Sequence, residues 1–128
     1  MDQTLEQQVD DLKRLGGVDV TKVPVGTTII IETTHAIYEI IVLFPSMALL
    51  EIIGTDKIFS AQKGSHSVEL QHSTYDQGGN IRIPHWIGKG MRMAFKTDDG
   101  VIMTSAVCSA RVTSPDKSWS YELWEKTY

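Results

Sequence analysis

Residues 84–93, Pro-His-Trp-Ile-Gly-Lys-Gly-Met-Arg-Met, hold the densest set of groups in the chain that are able to do chemistry. His85 can give or take a proton near neutral pH. Trp86 offers an aromatic face for stacking. Lys89 stands between two glycines, with Arg92 and Lys96 following. Together these residues have the character of a small-anion or nucleotide site. A Walker-type phosphate loop needs a glycine-rich turn opening a helix, with Lys followed by Ser or Thr. Here Gly88-Lys89-Gly90 leads into an alternating Met91-Arg92-Met93, which reads as strand, so the Walker geometry is excluded. Two readings remain. One is a bend before a strand, with Trp86 packed as a lid on the core. The other is a turn presenting His85, Trp86 and Lys89 to a ligand, with Arg92 and Lys96 on the outward face of the next strand. Arg111, on a neighbouring strand, is a further member of this basic group. Solvated cations are the competing account of all of them.

Other chemistries find less support. The histidines are His35, His66, His72 and His85. A zinc site needs three or four converging ligands. His66 and His72 share one face of a regular strand but stand roughly 20 Å apart at strand rise. Neither HExxH nor CxxC occurs, and no metal or cofactor is expected. Cys108 is the single cysteine, flanked by small residues in a strand-like run, and reads as a buried, inert thiol. Asp10-Asp11 and Asp98-Asp99 are paired carboxylates that read as solvated. With no nucleophile–base pair in view, the chain reads as a binding protein rather than an enzyme.

The elements that must position these groups are mostly strands. Leu5, Val9, Leu12 and Leu15 recur at helical spacing. Thr4 with Gln7 matches a capping box, and Gly16-Gly17 can end the helix in the left-handed region. An amphipathic helix is therefore expected over residues 1–16. Beyond it, 27–33, 36–44, 47–53, 66–73, 91–97, 101–105 and 107–113 read as strands, separated by turn signals at Thr34-His35, Pro45-Ser46, 76–80 and Asp98-Asp99-Gly100. Residues 119–124 are ambiguous and read better as strand. Met91, Met93 and Phe95 should face inward. One domain of 128 residues is expected, with 1–16 as the helix and 25–128 as a small antiparallel β-barrel or sandwich of SH3/Sm-like size. In architecture the helix and short strands resemble Sm-like rings and SH3-like barrels. Sm signature residues are lacking, and no residue roles carry over.

Two strands are apolar on both faces. Tyr38, Ile40, Val42 and Phe44 share one face of 36–44, and Ile37, Ile41 and Leu43 share the other with Glu39. A strand with water on one side alternates more cleanly, so the second face should be covered. The candidates are the chain's own helix, through Leu5, Val9 and Leu12, and a second copy of the protein. Trp119 and Trp124, in the aromatic run 119–128, join Ile37 and Ile41 as candidate interface residues.

Composition sets the class. The formal charge is −4 and the pI about 5.5. Nucleic-acid binders take most of their affinity from cations, so nucleic acid is not expected as a partner. No apolar run reaches the ~18 residues of a membrane helix. An acidic opening unlike a secretory leader, with one cysteine, points to a bacterial cytoplasm or an infected host cell. The expectation is a self-associating binding module for a small anionic ligand or a protein partner. The alternative is a structural component of a larger assembly, such as a viral particle.

Overall fold

The computed structural model describes residues 16–60, 62, 64–75 and 81–123. The strands are β1 (Gly17–Asp19), β2 (Thr28–Thr33), β3 (Ile37–Phe44), β4 (Leu49–Gly54) and β5 (His66–Tyr75), then β6 (Ile81–Pro84), β7 (Trp86–Gly88), β8 (Arg92–Thr97), β9 (Gly100–Thr113) and β10 (Ser120–Glu122). The fold is mainly β. The helical segments among the described residues are two three-residue 3-10 turns, Val20–Lys22 and Pro45–Met47. The helix expected over 1–16 falls almost wholly outside the described residues, as do Leu5, Val9, Leu12 and Trp124. Gly16 has the expected positive φ of 98°. Gly17 does not end a helix, however, because it begins β1. Among the described residues no helix is long and apolar enough to cross a membrane.

Six strands pair in a ring. β2 pairs β3, β3 pairs β4, β4 pairs β5, β5 pairs β8, β8 pairs β9, and β9 returns to β2, each contact antiparallel. The alternation seen in sequence selects the inner face. Ile29 and Ile31, Tyr38 with Ile40 and Val42, Leu50 with Ile52, and Met93 with Phe95 are all buried. The β-branched residues suit the pleated surface. Each of these six strands has two neighbours in the ring, so none is an edge strand along its whole length. Phe59, from the β4–β5 connection, closes the core with edge-on contacts to Tyr38, His66 and Phe95 at 5.8–6.0 Å. Asp56 holds that connection in place: it accepts the Tyr38 hydroxyl at 2.5 Å and the Phe59 amide at 2.8 Å. Burial and the adjacent Asp56 carboxylate push the Tyr38 phenol well above its ordinary range.

Three features escape the sequence reading. Residues 101–105 and 107–113 are one long strand, β9, whose first half pairs β8 and whose second half pairs β2. A bulge at Gln71 interrupts β5, so Leu70 faces Phe95 while the next pair is His72 with Ala94. An extra residue reverses the alternation beyond it, and the buried positions run Val68, Leu70 and then Ser73. His66 and His72 therefore lie on opposite faces of β5, where a regular strand would have put them on one. Finally, β6 pairs β5 and β7 pairs β1, although no strand was read between the turn at 76–80 and residue 91.

Candidate functional site

His85 is the corner between β6 and β7, and its backbone turns through a φ of 57°. A side chain with a Cβ enters this left-handed region only at a cost of roughly 1–2 kcal/mol. Three hydrogen bonds hold it there. Its amide donates to the Gln71 carbonyl at 3.2 Å, and its own carbonyl accepts from the Val20 amide at 3.0 Å. Its Nδ1 lies 2.8 Å from the Leu70 carbonyl oxygen. A carbonyl only accepts, so Nδ1 carries the proton and Nε2 of the neutral ring keeps an open lone pair. The bulge at Gln71 presents both acceptors, since it re-aims the strand next to the corner.

Trp86 is fixed by the glycines beneath it. Gly17 and Gly88 face each other across β1 and β7. A Cβ on Gly17 would stand 2.6 Å from Cζ2 of the Trp86 indole and 2.5 Å from the Ile87 carbonyl. A Cβ on Gly88 would stand 2.7 Å from the indole Nε1. The ring therefore lies against a two-strand surface that only glycine leaves flat enough. The buried Ser73 hydroxyl donates to the Trp86 carbonyl.

These two residues line a cleft of about 580 Å³ with Gly17, Val18, Asp19, Lys22, Val23, Ile83 and Pro84. Its walls are largely apolar, with one imidazole, one carboxylate and one ammonium among them. The Asp19 carboxylate is oriented by Thr21, accepting its amide at 2.9 Å and its hydroxyl at 2.5 Å. That turn caps the 3-10 segment carrying Lys22. Few polar groups on an apolar wall is the usual make-up of a small-molecule site. Asp19 and Lys22 were not singled out from sequence. An Asp-x-Thr turn in 19–21 was the available signal.

The remaining predicted residues are placed elsewhere. Lys89 sits in the tight turn between β7 and β8, closed by the Met91 amide on the Gly88 carbonyl at 3.2 Å, with Gly90 at φ 76°. Arg92 is exposed on β8 opposite Thr74 and Ala106. Lys96 is exposed four residues further on, opposite Glu69 and Val101, and borders a separate hollow of about 280 Å³. Lys89, Arg92 and Lys96 line no part of the His85 cleft. Arg111 lies on the half of β9 that pairs β2, and its guanidinium bonds Glu122 at 2.8 Å. Lys89, Arg92, Lys96 and Arg111 thus lie outside the lining of the cleft that His85 and Trp86 border.

The interface candidates differ in exposure. Ile37 is exposed and Ile41 half-buried, both on the outer face of the ring, and Trp119 is exposed after a turn built on Ser114 and Asp116. Hydrogen bonds from Ser118 and Ser114 hold the Asp116 carboxyl down at about 2. On β5, burial and the Arg82 charge lower the His72 imidazole below its ordinary value. Among the described residues no group of three or more His, Cys, Asp or Glu side chains converges as a metal site would require. Comparison of the chain with protein-family models, with curated proteins and with solved structures returns no match.

Proposed function

We propose that this protein acts by binding, as a small antiparallel β-barrel that captures a small anionic, nucleotide-like ligand in the cleft between β1 and the β6–β7 corner. The observation that carries the reading is His85, held at a costly φ by three hydrogen bonds that leave Nε2 as an acceptor. Backbone strain retained at a cleft is a mark of pre-organisation for function. Trp86 supplies a stacking face, Lys22 the cation for the anionic group, and His85 Nε2 an acceptor for a ligand N–H or O–H. A reducing cytoplasm, where Cys108 stays a thiol, is the setting we propose.

Native mass spectrometry of gently purified protein, followed by titration with adenosine monophosphate and inorganic phosphate, tests this. The expected result is one ligand per chain, lost in Lys22→Ala and His85→Gly and retained in Lys96→Ala. Retention in the first two variants with loss in Lys96→Ala would move the site to β8 and overturn the proposal.

A second reading, an assembly component that self-associates, rests on one end of the ring. Val25, Phe44 and Met47 are 62%, 58% and 65% exposed. They lie in the stretches 23–31 and 40–50, which contain no charged residue. Exposed apolar surface of this kind marks contact sites. Sedimentation should show association that Phe44→Ser with Met47→Ser abolishes. An unchanged oligomer in that variant would remove this reading.

A further inference from the structure

The outer face of β2, β3 and β4 carries a regular pattern that the cleft does not use. Directly paired residues of antiparallel strands project on the same side. Across the strands one row reads Arg111, Ile30, Glu39, Ile53. The row above it pairs Glu32 with Ile37, and the row below pairs Ile41 with Glu51. Along β3 the same face reads Ile37, Glu39, Ile41. Isoleucine and glutamate therefore alternate in both directions. Ile30 and Ile37 are 43% and 48% exposed, and Glu39 is exposed between them.

Charge decides what such a face accepts. Glu39 and Glu51 stand among its isoleucines, and Arg111, its cation among the described residues, already bonds Glu122. A second copy docked face to face would bring Glu39 and Glu51 toward their own counterparts, with Arg111 already engaged, which is costly once water is excluded. Residues 1–15 carry four acidic side chains against Lys13 and Arg14, so the chain's own N-terminal segment has the wrong sign as well. Nucleic acid and anionic lipid are repelled for the same reason. We propose that this face docks a basic, apolar segment of another protein, in which residues facing the sheet alternate apolar and cationic. Facing residues of a strand are two apart, so the required pattern is apolar-x-basic-x-apolar, matching Ile37, Glu39 and Ile41 at their repeat of roughly 7 Å. The apolar side chains cover Ile37 and Ile41, and the cation between them meets Glu39. The proposal does not depend on the cleft.

The test is a titration of isotope-labelled protein with the peptide Ile-Ser-Lys-Ser-Ile-Ser-Lys-Ser-Ile at about 50 mM salt, where surface charge is weakly screened. Amide shifts are expected at residues 28–32, 37–43 and 49–53. A peptide of the same composition, reordered so that its isoleucines and lysines lie on opposite faces, should bind about tenfold more weakly. Glu39→Lys with Glu51→Lys should cost at least about tenfold and transfer preference to the version with Glu in place of Lys. Val101→Ser, at an exposed position where β9 pairs β8, should leave peptide binding unchanged. Glu39→Gln with Glu51→Gln, which keeps shape and packing, guards against a reversal variant that fails to fold and should also weaken binding. Equal binding of both peptide orders, shifts at the cleft or on β8, or self-association through this face would each overturn the proposal.

Discussion

The ring and the β1–β7 annex are built on different principles. The ring is held by side-chain volume. Ile29, Ile40, Leu50, Leu70, Met93 and Phe95 fill it, and each is drawn from a two-residue alternation. The annex is held by backbone geometry. It depends on Gly17 and Gly88 having no Cβ, on His85 accepting a positive φ, and on a bulge in a neighbouring strand. A volume-filled core tolerates any apolar residue of about the right size. A backbone-built cleft tolerates few changes at its fixed points. The two regions should therefore fail in different ways.

The largest effect should come from the ring. Phe95→Ala or Phe59→Ala removes a ring packed edge-on against its neighbours, and each should cost about 3–5 kcal/mol of stability in denaturant unfolding. If neither variant loses more than a surface substitution does, the ring is not the stabilising unit. Gly17→Ala should cost less, about 1–3 kcal/mol from overpacking. It should also shift Trp86 fluorescence, because the new methyl group displaces the indole or the Ile87 carbonyl. A variant with wild-type fluorescence would show that the annex repacks as easily as a core.

At His85 the comparison becomes sharper. Ala and Gly both lose the ring's bond to the Leu70 carbonyl, but Ala keeps the cost of a positive φ. His85→Ala should thus be less stable than His85→Gly by about 1 kcal/mol. Equal stability would mean that the corner does not hold its φ.

The pH dependence follows from His72. Its folded-state pKa is lowered by burial and Arg82, so the unfolded chain binds the proton more readily. Its stabilising contribution is full above the unfolded value of about 6.5 and is lost as pH falls through the folded value. The melting temperature should fall on acidification from neutrality, and His72→Gln should flatten that slope. The smallest effect belongs to Arg111→Ala. Its ion pair with Glu122 is more than half exposed on both sides, and such pairs contribute under about 1 kcal/mol.

What could be read in advance tracks this division. The inward set of β3 and β8 was legible because alternation in a closed sheet has one solution: burying Tyr38, Ile40 and Val42 fixes the parity of the strand. The two-sided apolar character of β3 was legible for the same reason, and Glu39, which gives its outer face a sign, is in the same pattern. His85 and Trp86 attracted notice by residue type, yet their neighbours did not. Asp19 and Lys22 lie more than sixty residues away in the chain, and local propensity carries no information about that approach. Lys96 was grouped with Trp86 by proximity in sequence, but an extended strand moves residues apart at about 3.3 Å each.

The amino-acid sequence by itself determined a mainly β chain with an apolar interior, the positions of most of its strands, and a net negative charge. Those properties depend on composition and on a period of two, which are local. Tertiary structure alone decided that β9 serves two neighbours, that Gln71 bulges, and that β1 reaches β7 to set Gly17 under Trp86. A bulge or a distant strand pairing is chosen by the energy of the whole packed chain, because its cost is local while its gain lies in contacts made across the fold.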